Sequence, residues 1–576
     1  MKNIEIAEIL FELADIYEMQ NVPWKPIALR KAARVIETLT EEVEEIYKKG
    51  GTEALEKIPG VGAGIARRIE ELLTTGKLKE YETAIKAIPR GVEEIMHLMG
   101  IGPKKAIRLY KELGIASIKE LEAAAKAGKI RTLRGFGPKS EEDILKALEL
   151  KRIGEKRITL GVALPIAREI QKRLLSITGV TKAVPSGSLR RMRETVGDID
   201  TLVIAKDSKK VMDYFTTMPE VIRVLAKGPT KSMVMLQFGP YQIQADVRVL
   251  SEKSFGAALQ YFTGSKDHNI KLRQLAIKKG YKLSEYGLFE TKTNRQIAGR
   301  SEEEIYSKLG LPYIEPELRE NLGEIEAAQE NRLPDLIGYE AIKGDLQVHT
   351  NWSDGNNSLE EMVSACQKLG YAYIAITDHS KRQKVAHGMD EKRILKQIKE
   401  IEKIRKKFEI EILIGSEVDI LPNGDLDYRN AILKKLDFVL ASVHSKFKSP
   451  KEEMTRRICK ALENPYVKCF AHPTGRIINV RPPYEVDLEK VGQVAKDRDI
   501  ALEINAYPDR LDLKDSHIKM LKEIGVKFLI NTDSHAVDHL KYIEYGIAQA
   551  RRGWATSSDI LNSLPWKKFE KWLTNK

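Results

Sequence analysis

The chain has 576 residues and a net charge of +13, from 96 basic and 83 acidic side chains. This length exceeds what one hydrophobic core supports, so several domains are expected. Residues 101–300 hold 39 basic and 20 acidic side chains, an excess that suits a polyanion such as nucleic acid. There are three cysteines, no apolar run approaches ~20 residues, and the N-terminus lacks the layout of a signal peptide. These features exclude a disulfide-framed secreted protein and a membrane protein, and predict a cytoplasmic location.

The N-terminal third contains three related glycine turns, each followed by a helical pattern. They are IPGVGAGIARRIEELL (58–73), LMGIGPKKAIRLYKELG (98–114) and LRGFGPKSEEDILKAL (133–148). Glycine permits a tight turn that leaves backbone N–H groups free for a phosphate oxygen at a helix N-terminus. Such elements contact the DNA backbone without reading bases. We predict helix-hairpin-helix elements whose backbone contacts are Gly60, Gly62, Gly100, Gly102 and Lys104.

The stretch GSLRRMRETVGDID (187–200) places Asp198 and Asp200 one residue apart, just before the apolar segment TLVIA. Alternate side chains of a strand point the same way, so the two carboxylates share one spot. Like charges held this close favour a divalent cation between them. Asp246 lies in a second apolar strand pattern, YQIQADVRVL, and becomes the third carboxylate if the two strands are neighbours. The sequence therefore predicts a two-metal site for phosphoryl transfer.

The segment YFTGSKDHNIKLRQLA (261–276) combines an aromatic pair, a glycine turn and a helical pattern. The aromatic pair, Tyr261 and Phe262, suits contact with a nucleotide sugar and would crowd a 2′-hydroxyl. Asn269 and Arg273 are four residues apart, so they face the same side of the helix.

These motifs, G-S-x-R-R…G-D-x-D, D-V-R and Y-F-T-G-S…N…R, resemble those of the polymerase beta-like, or family X, DNA polymerases across roughly residues 1–320. The resemblance implies that Asp198, Asp200 and Asp246 bind two Mg²⁺ or Mn²⁺ ions. It assigns the other residues to the incoming nucleotide: Gly187, Ser188 and Arg191 to the triphosphate, Tyr261, Phe262 and Gly264 to the sugar, and Asn269 and Arg273 to the nascent base pair.

One position departs from that family. Polymerase beta carries a lysine in its first hairpin helix that forms a Schiff base with a 5′-deoxyribose phosphate, and the matching residue here is Arg68. The earlier hairpin lysine is matched by Gly64. A guanidinium keeps its proton and is no amine nucleophile, so lyase activity by that route is not expected.

Residues 319–338 are acidic and end in Pro and Gly, as a linker does. Beyond them, seven strand patterns alternate with helical ones, which indicates a parallel βα barrel with its site at the C-terminal strand ends. Six of the seven end at or near a potential metal ligand, and this set comprises His349, Asp354, His379, Glu417, His444, His472, Asp533 and His535. Imidazoles with carboxylates suit Zn²⁺ or Mn²⁺ and an activated water.

The motifs V-H-T…S-D-G, T-D-H, S-E-V, S-V-H, A-H-P and D-S-H resemble the polymerase and histidinol phosphatase (PHP) domain over about residues 339–576. The resemblance implies a distorted (βα)₇ barrel with up to three metal ions held by the eight residues above. The family usually opens with His-x-His, whereas this chain has Gln347-Val348-His349. Family X polymerases with this domain form a bacterial and archaeal branch, in which the domain degrades DNA from 3′ ends and can process abasic sites.

The predicted fold is multidomain. Its parts are an N-terminal helical DNA-binding domain (1–80), helix-hairpin-helix fingers (81–150), an α+β palm (151–255), a thumb (256–318), a linker (319–338) and the PHP barrel (339–576).

The leading hypothesis is a monomeric, template-directed DNA polymerase that fills short gaps during base excision repair. It would use deoxynucleoside triphosphates on gapped or nicked DNA, and the barrel would be a metal-dependent 3′–5′ exonuclease. Three alternatives stay open. The palm could be a template-independent nucleotidyltransferase, the chain could be a DNA-binding scaffold whose barrel is a structural metal module, or the barrel could be a small-molecule phosphatase.

Overall fold

The structure is a computed structural model. It describes residues 3–19, 22–37, 39, 42–86, 92, 95, 101, 103–133, 136–142, 144, 145, 148 and 157–574. The chain forms two compact units. The first comprises Met1–Arg157, Leu174–Val184 and Gly197–Tyr313, and the second comprises Ile158–Arg173, Pro185–Val196 and Ile314–Lys576. None of the described helices combines the length and apolarity needed to cross a membrane.

The N-terminal part of the first unit is helical. Its described helices are Asn3–Met19, Lys25–Glu37, Val43–Glu56, Ala63–Thr75, Lys79–Lys86, Pro103–Leu113 and Ile118–Lys126. Apolar residues recur at helical spacing and meet in one core, as in Ile6, Leu10 and Leu13 of the first helix.

The rest of the first unit is built on β-sheets. The strands up to residue 298 are β1 (Ile158–Thr159), β2 (Val180–Pro185), β3 (Thr195–Val196), β4 (Asp198–Ala205), β5 (Val221–Lys227), β6 (Lys231–Phe238), β7 (Tyr241–Val249), β8 (Tyr281–Ser284), β9 (Gly287–Glu290) and β10 (Gln296–Ala298). A five-stranded sheet has the order β2-β4-β7-β6-β5, a small sheet has the order β10-β9-β8, and β1 pairs with β3 in the second unit. The helices of this part of the chain are Leu160–Leu175, Gly187–Arg190, Ser208–Thr216, Phe255–Thr263, Lys266–Lys278 and Glu302–Lys308.

The second unit contains seven parallel strands, one from each predicted strand pattern. They are β11 (Gly344–Val348), β12 (Tyr373–Ile376), β13 (Glu411–Asp419), β14 (Phe438–Ser442), β15 (Val467–Phe470), β16 (Ala501–Asn505) and β17 (Phe528–Asn531). They follow one another in chain order across the sheet. A bridge between Val348 and Ser534 joins the first strand to the residues after the last, so the sheet is a nearly closed barrel.

Helices follow the barrel strands and cover them. They are Leu359–Lys368, Glu391–Ile404, Asn430–Leu433, Lys451–Leu462, Leu488–Asp497, Asp515–Ile524, Ile543–Arg552 and Trp566–Thr574. The strands are buried along almost their whole length and rich in Ile, Leu and Val, as parallel strands under helices are. The C-terminal helix places Phe569 against Tyr373 of β12, with ring centroids 4.5 Å apart.

The segment predicted as an acidic linker is folded within the second unit. It contains the helix Glu324–Gln329, and Arg319 and Glu324 are fully buried. The Glu324 carboxylate accepts hydrogen bonds from the backbone N–H groups of Asn321 and Leu322, at 2.9 and 2.8 Å. The Glu324 carboxylate therefore has partners inside the fold, unlike a side chain of an extended connection.

Candidate active sites

The first site lies on two neighbouring strands of the five-stranded sheet. Strands β4 and β7 are parallel, and Asp200 stands directly opposite Asp246 in their register. Asp198 is exposed at the start of β4, whereas Asp246 is buried at 7% exposure. The two strands are therefore neighbours, which is the condition under which Asp246 was predicted to be the third carboxylate of this site.

These carboxylates carry charge that a cation would neutralise. Burial, and then the negative charges of Asp198 and Asp246, raise the pKa of Asp200 to about 7. On Asp246, Lys231 Nζ lies 3.3 Å from Oδ2, and Gln244 Nε2 donates to Oδ1 at 3.0 Å. A set of oxygen ligands alone suits Mg²⁺ or Mn²⁺.

The predicted sugar and base-pair residues lie where two helices meet. Tyr261 and Phe262 end the helix Phe255–Thr263, with ring centroids 5.1 Å apart. Asn269, in the helix Lys266–Lys278, donates from Nδ2 to the Tyr261 carbonyl at 2.7 Å. Arg273 Nε donates to the Asn269 carbonyl at 3.3 Å, and Gly264 turns between the helices at φ 69°. Hydrogen bonds therefore hold these residues together, while their contacts with a nucleotide stay a prediction.

The predicted triphosphate residues belong to the second unit. Gly187 has φ 66° and opens the short helix Gly187–Arg190, which contains Ser188. Arg191 Nε lies 3.0 Å from Glu320 Oε1, and each side chain is only 12% exposed. Glu320 also receives a hydrogen bond from Arg552 at 3.0 Å. The guanidinium expected to meet phosphates is thus paired with a carboxylate that lies 129 residues away.

The first predicted hairpin has the expected turn. Gly60 has φ 86°, and Gly62 directly precedes the helix Ala63–Thr75. Arg68 of that helix donates to both carboxylate oxygens of Glu80, at 2.5 and 2.8 Å. Gly100 and Gly102 of the second hairpin, and the side chain of Lys104, lie outside the described residues.

The second site gathers the eight ligands predicted at the barrel strand ends. Among the described residues, three groups bring their ligand atoms within 4.8 Å of one another. These groups are His349, Asp354, His379 and His535; then His379, Glu417 and His444; and His349, Glu417 and Asp533. The eighth residue, His472, places Nε2 3.0 Å from Glu417 Oε1.

Glu417 is the centre of this cluster. Its Oε1 lies 3.2 Å from His444 Nε2, while its Oε2 lies 3.4 Å from His349 Nε2 and 3.5 Å from His379 Nδ1. Burial alone would raise the pKa of Glu417, but the imidazoles of His379 and His444 hold it well below its usual value. The carboxylate is therefore ionised and can bridge two ligand groups.

The donor set fits metal ions. Both ring nitrogens of His349 are buried and make no hydrogen bond within the described chain, yet Nε2 lies 3.2 Å from Asp533 Oδ1. Burial would raise the pKa of Asp533, but its contact with His349 lowers it far below the usual value. Buried imidazole nitrogens that face ionised carboxylates are the arrangement that Zn²⁺ and Mn²⁺ occupy.

Several supporting residues were not predicted. The Asp419 carboxylate accepts from His444 Nδ1 at 2.7 Å and fixes that ring, as residues behind metal ligands do. It lies two residues after Glu417 on β13, so strand alternation could have indicated it. Arg510 lines the cavity over the cluster, and no motif marks it. Gln347, at the position where the PHP motif usually has histidine, donates from Nε2 to Glu417 Oε2 at 3.1 Å.

Four family models match the chain. They are a helix-hairpin-helix domain at residues 1–78, a SAM-like helix-hairpin-helix tandem at 92–151, the DNA polymerase beta thumb at 258–320 and the PHP domain at 345–507. With the barrel described above, these matches confirm the predicted fold class. The fold and its two carboxylate sites define a polymerase beta-like protein with a PHP barrel.

Similar proteins cover the whole chain or one part of it. The chain is 40% identical over 575 residues to the DNA polymerase/3′-5′ exonuclease PolX of Bacillus subtilis, covering 100% of this chain and 99% of that protein. It is 25% identical over 343 residues to DNA polymerase lambda of Rattus norvegicus, covering 55% and 56% of the two chains. It is also 31% identical over 233 residues to a probable phosphatase of Thermoanaerobacter sp., covering 38% of this chain and 90% of that protein. The chain belongs to the family X DNA polymerases that carry a C-terminal PHP domain.

Proposed function

We propose that this protein is a template-directed DNA polymerase that fills short gaps during DNA repair and also degrades DNA from 3′ ends. The observation that supports the polymerase is the register of Asp200 opposite Asp246 on neighbouring strands, with Asp198 beside them. The full-length likeness to a protein named as a DNA polymerase and 3′–5′ exonuclease supports both activities.

In the palm, Asp198, Asp200 and Asp246 would hold two Mg²⁺ or Mn²⁺ ions. Such ions lower the pKa of the primer hydroxyl and stabilise charge on the transferred phosphoryl group. Tyr261 and Phe262 would limit the space beside the sugar, so deoxynucleotides are the proposed substrates. Gly60 and Gly62 would bind the DNA backbone through free N–H groups at a helix N-terminus.

In the barrel, Glu417 and the seven other ligands would hold Mn²⁺ or Zn²⁺, which supply an activated water for phosphodiester hydrolysis. Glu417 would be one of the ligands that hold these ions, while Asp419 keeps the His444 ring in place through its hydrogen bond. Lyase activity through residue 68 is not part of this proposal, because that residue is an arginine, whose guanidinium keeps its proton and is no amine nucleophile. Arg68 is in addition paired with Glu80.

A gapped duplex with a 5′-phosphate tests the proposal. Parent protein with Mg²⁺ or Mn²⁺ should extend the primer on the gap and leave a lone single strand unextended, whereas equal extension of both would indicate a template-independent transferase. Asp246→Ala should abolish extension while DNA binding persists, because backbone contacts supply affinity. Without nucleotides, the parent should shorten the labelled strand from its 3′ end.

A second candidate for the barrel is hydrolysis of a small phosphomonoester, which the likeness to a probable phosphatase favours. Turnover of p-nitrophenyl phosphate should then exceed degradation of 3′ ends at equal metal concentration. The reverse order supports the exonuclease.

A further inference from the structure

An aromatic patch adjoins the barrel cluster. It consists of Tyr507, in the loop after β16, and His539 and Tyr542, in the 3₁₀ helix Val537–Tyr542. The Tyr507 ring meets His539 at 5.4 Å and Tyr542 at 5.5 Å between centroids, nearly perpendicular in both cases. His539 stacks on Tyr542 at 5.0 Å. All three residues are half-buried, so part of each side chain stays open to solvent.

The patch is fixed to the metal ligands through two hydrogen-bonded links. In the first, Asn505 Nδ2 donates to Asp533 Oδ2 at 3.2 Å, and Asn505 Oδ1 accepts from the Tyr507 backbone N–H at 3.0 Å. In the second, the His535 backbone N–H donates to His539 Nδ1 at 3.3 Å. These links fix the Tyr507 backbone beside Asp533 and the His539 ring beside His535, and Tyr542 packs against the rings of Tyr507 and His539. A binding surface next to a reacting group requires such fixed positions.

A cation completes this surface. Arg510 lies one turn after Tyr507, and its backbone N–H donates to the Tyr507 carbonyl at 2.8 Å. Its side chain lines the cavity of about 250 Å³ over the cluster, and among the described residues it is the one lysine or arginine there. Arg510 Nε lies 3.5 Å from Asp533 Oδ2, while the two Nη groups donate no hydrogen bond within the described part of the chain.

The aromatic rings and the guanidinium match the two parts of one nucleotide, its base and its phosphate. Aromatic side chains stack on any base, so they bind single strands with little sequence preference. A guanidinium has a planar set of donors that matches the oxygens of a phosphate. Here Tyr507 and Arg510 lie in the loop after β16, His539 and Tyr542 lie in the helix Val537–Tyr542, and both segments adjoin ligands that would hold the metal ions.

We propose that Tyr507, His539, Tyr542 and Arg510 form the subsite for the 3′-terminal nucleotide of a DNA strand. The base lies against the aromatic patch, and Arg510 binds the phosphate that links this nucleotide to the chain. This subsite rests on the proposed 3′ nuclease function, and it specifies which part of the substrate the barrel recognises.

The test uses the full-length protein with Mn²⁺ and two single-stranded oligonucleotides. One ends in a normal nucleotide, and the other ends in a deoxyribose without a base. Tyr542→Leu should raise KM for the normal end about tenfold, the effect of losing one base stack, and should leave KM for the baseless end as in the parent. Tyr542→Phe should restore the parent KM, because the ring is kept. Tyr466→Leu is the matched control, since Tyr466 is half-buried at the opposite, N-terminal end of β15.

Arg510→Ala should lower kcat/KM on both oligonucleotides by about 10- to 100-fold, the usual effect of removing a charged hydrogen-bond donor. Arg510→Lys should recover part of the loss. Bound manganese, measured by elemental analysis, should equal that of the parent in every variant.

Equal KM increases on the two ends for Tyr542→Leu, or no increase on either, would overturn the subsite. Loss of bound manganese in that variant would do so too, because the patch would then only support the cluster. Failure of the proposed function gives a different result: the parent leaves 3′ ends intact, or Glu417→Ala still degrades them, and the subsite is then rejected with it.

Discussion

The palm and the barrel both gather carboxylates, but they neutralise them with different partners. In the palm, Lys231 lies 3.3 Å from Asp246, and Asp198 is exposed at the strand start. In the barrel, imidazoles surround Glu417, which is 1% exposed. The palm aspartates come from two adjacent strands, whereas the barrel ligands come from the ends of most strands of a nearly closed sheet.

This difference indicates two ways of using metal. Where one carboxylate, Asp198, is exposed and a lysine shares the charge of another, Asp246, ions can arrive and leave with the nucleotide. Where ionised carboxylates are buried, an absent cation leaves desolvated charge that is costly to maintain. We therefore expect the barrel to hold its ions as part of the fold and the palm to exchange them. The predictions below test that contrast, from the largest expected effect to the smallest.

The first prediction is that the two activities can be removed separately. Glu417→Ala removes the central carboxylate and should lower 3′ degradation by about three orders of magnitude, as expected when a transition-state contact of roughly 4 kcal/mol is lost. Extension on gapped DNA should stay within a few-fold of the parent. Asp200→Ala should give the reverse pattern. Gel assays of both reactions on one duplex measure this, and loss of 3′ degradation in Asp200→Ala with retention in Glu417→Ala would place the nuclease in the palm.

Some contacts at the two sites could be predicted from the sequence and others could not, and the kind of contact explains the difference. Ligands at the ends of parallel strands converge by register, so His349, Glu417 and Asp533 could be placed together before the fold was known. The partner of Arg191 could not, because Glu320 lies far along the chain in a segment interpreted as a linker.

The interpretation of residues 319–338 as a linker rested on their acidic composition, which does not determine whether a segment is solvated or packed. Acidic residues near position 320 can be a solvated connection or can face arginines contributed by another segment. Here Glu317 accepts from Arg551 Nε at 2.7 Å, and Glu320 meets Arg552. A solvated connection and a segment paired with arginines have the same acidic sequence pattern, and only the packing of the folded chain distinguishes them. The predicted domain boundaries and the residue roles stay predictions.

The second prediction concerns stability. Metal bound to the native barrel but not to the unfolded chain should stabilise it by about 4 kcal/mol when free metal is 1,000 times Kd. For a domain of this size that is on the order of 10 °C in Tm. Calorimetry of chelator-treated protein, with and without added Mn²⁺, measures the shift. Asp246→Ala should keep the shift and Glu417→Ala should lose most of it, whereas equal shifts in both variants would contradict the contrast.

The third prediction concerns the pH dependence of the palm. The pKa of Asp200 is raised to about 7, so its carboxyl binds a proton as pH falls through 7, and this proton competes with the metal. The Mg²⁺ concentration for half-maximal extension should therefore be about tenfold higher at pH 6 than at pH 8, because protonation at pH 6 leaves about a tenth of the carboxyl ionised. Steady-state extension across a Mg²⁺ titration measures this, with DNA binding followed at both pH values as the control. An identical Mg²⁺ midpoint at pH 6 and pH 8 would show that Asp200 does not limit metal binding.

The last prediction concerns Gln347, the residue by which this barrel departs from the usual His-x-His. Its amide is fully buried and donates to Glu417 instead of offering a strong ligand. Gln347→His adds an imidazole, which binds Mn²⁺ and Zn²⁺ better than an amide does. The Mn²⁺ midpoint of 3′ degradation should fall a few-fold, and gap extension should not change. Gln347→Leu is the matched control: it removes the hydrogen bond to Glu417 without adding a ligand, so its midpoint should rise, as when support behind a metal ligand is lost. If Gln347→His raises the midpoint as Gln347→Leu does, the amide is the better partner for Glu417, and this barrel holds its ions by a different ligand set from its relatives.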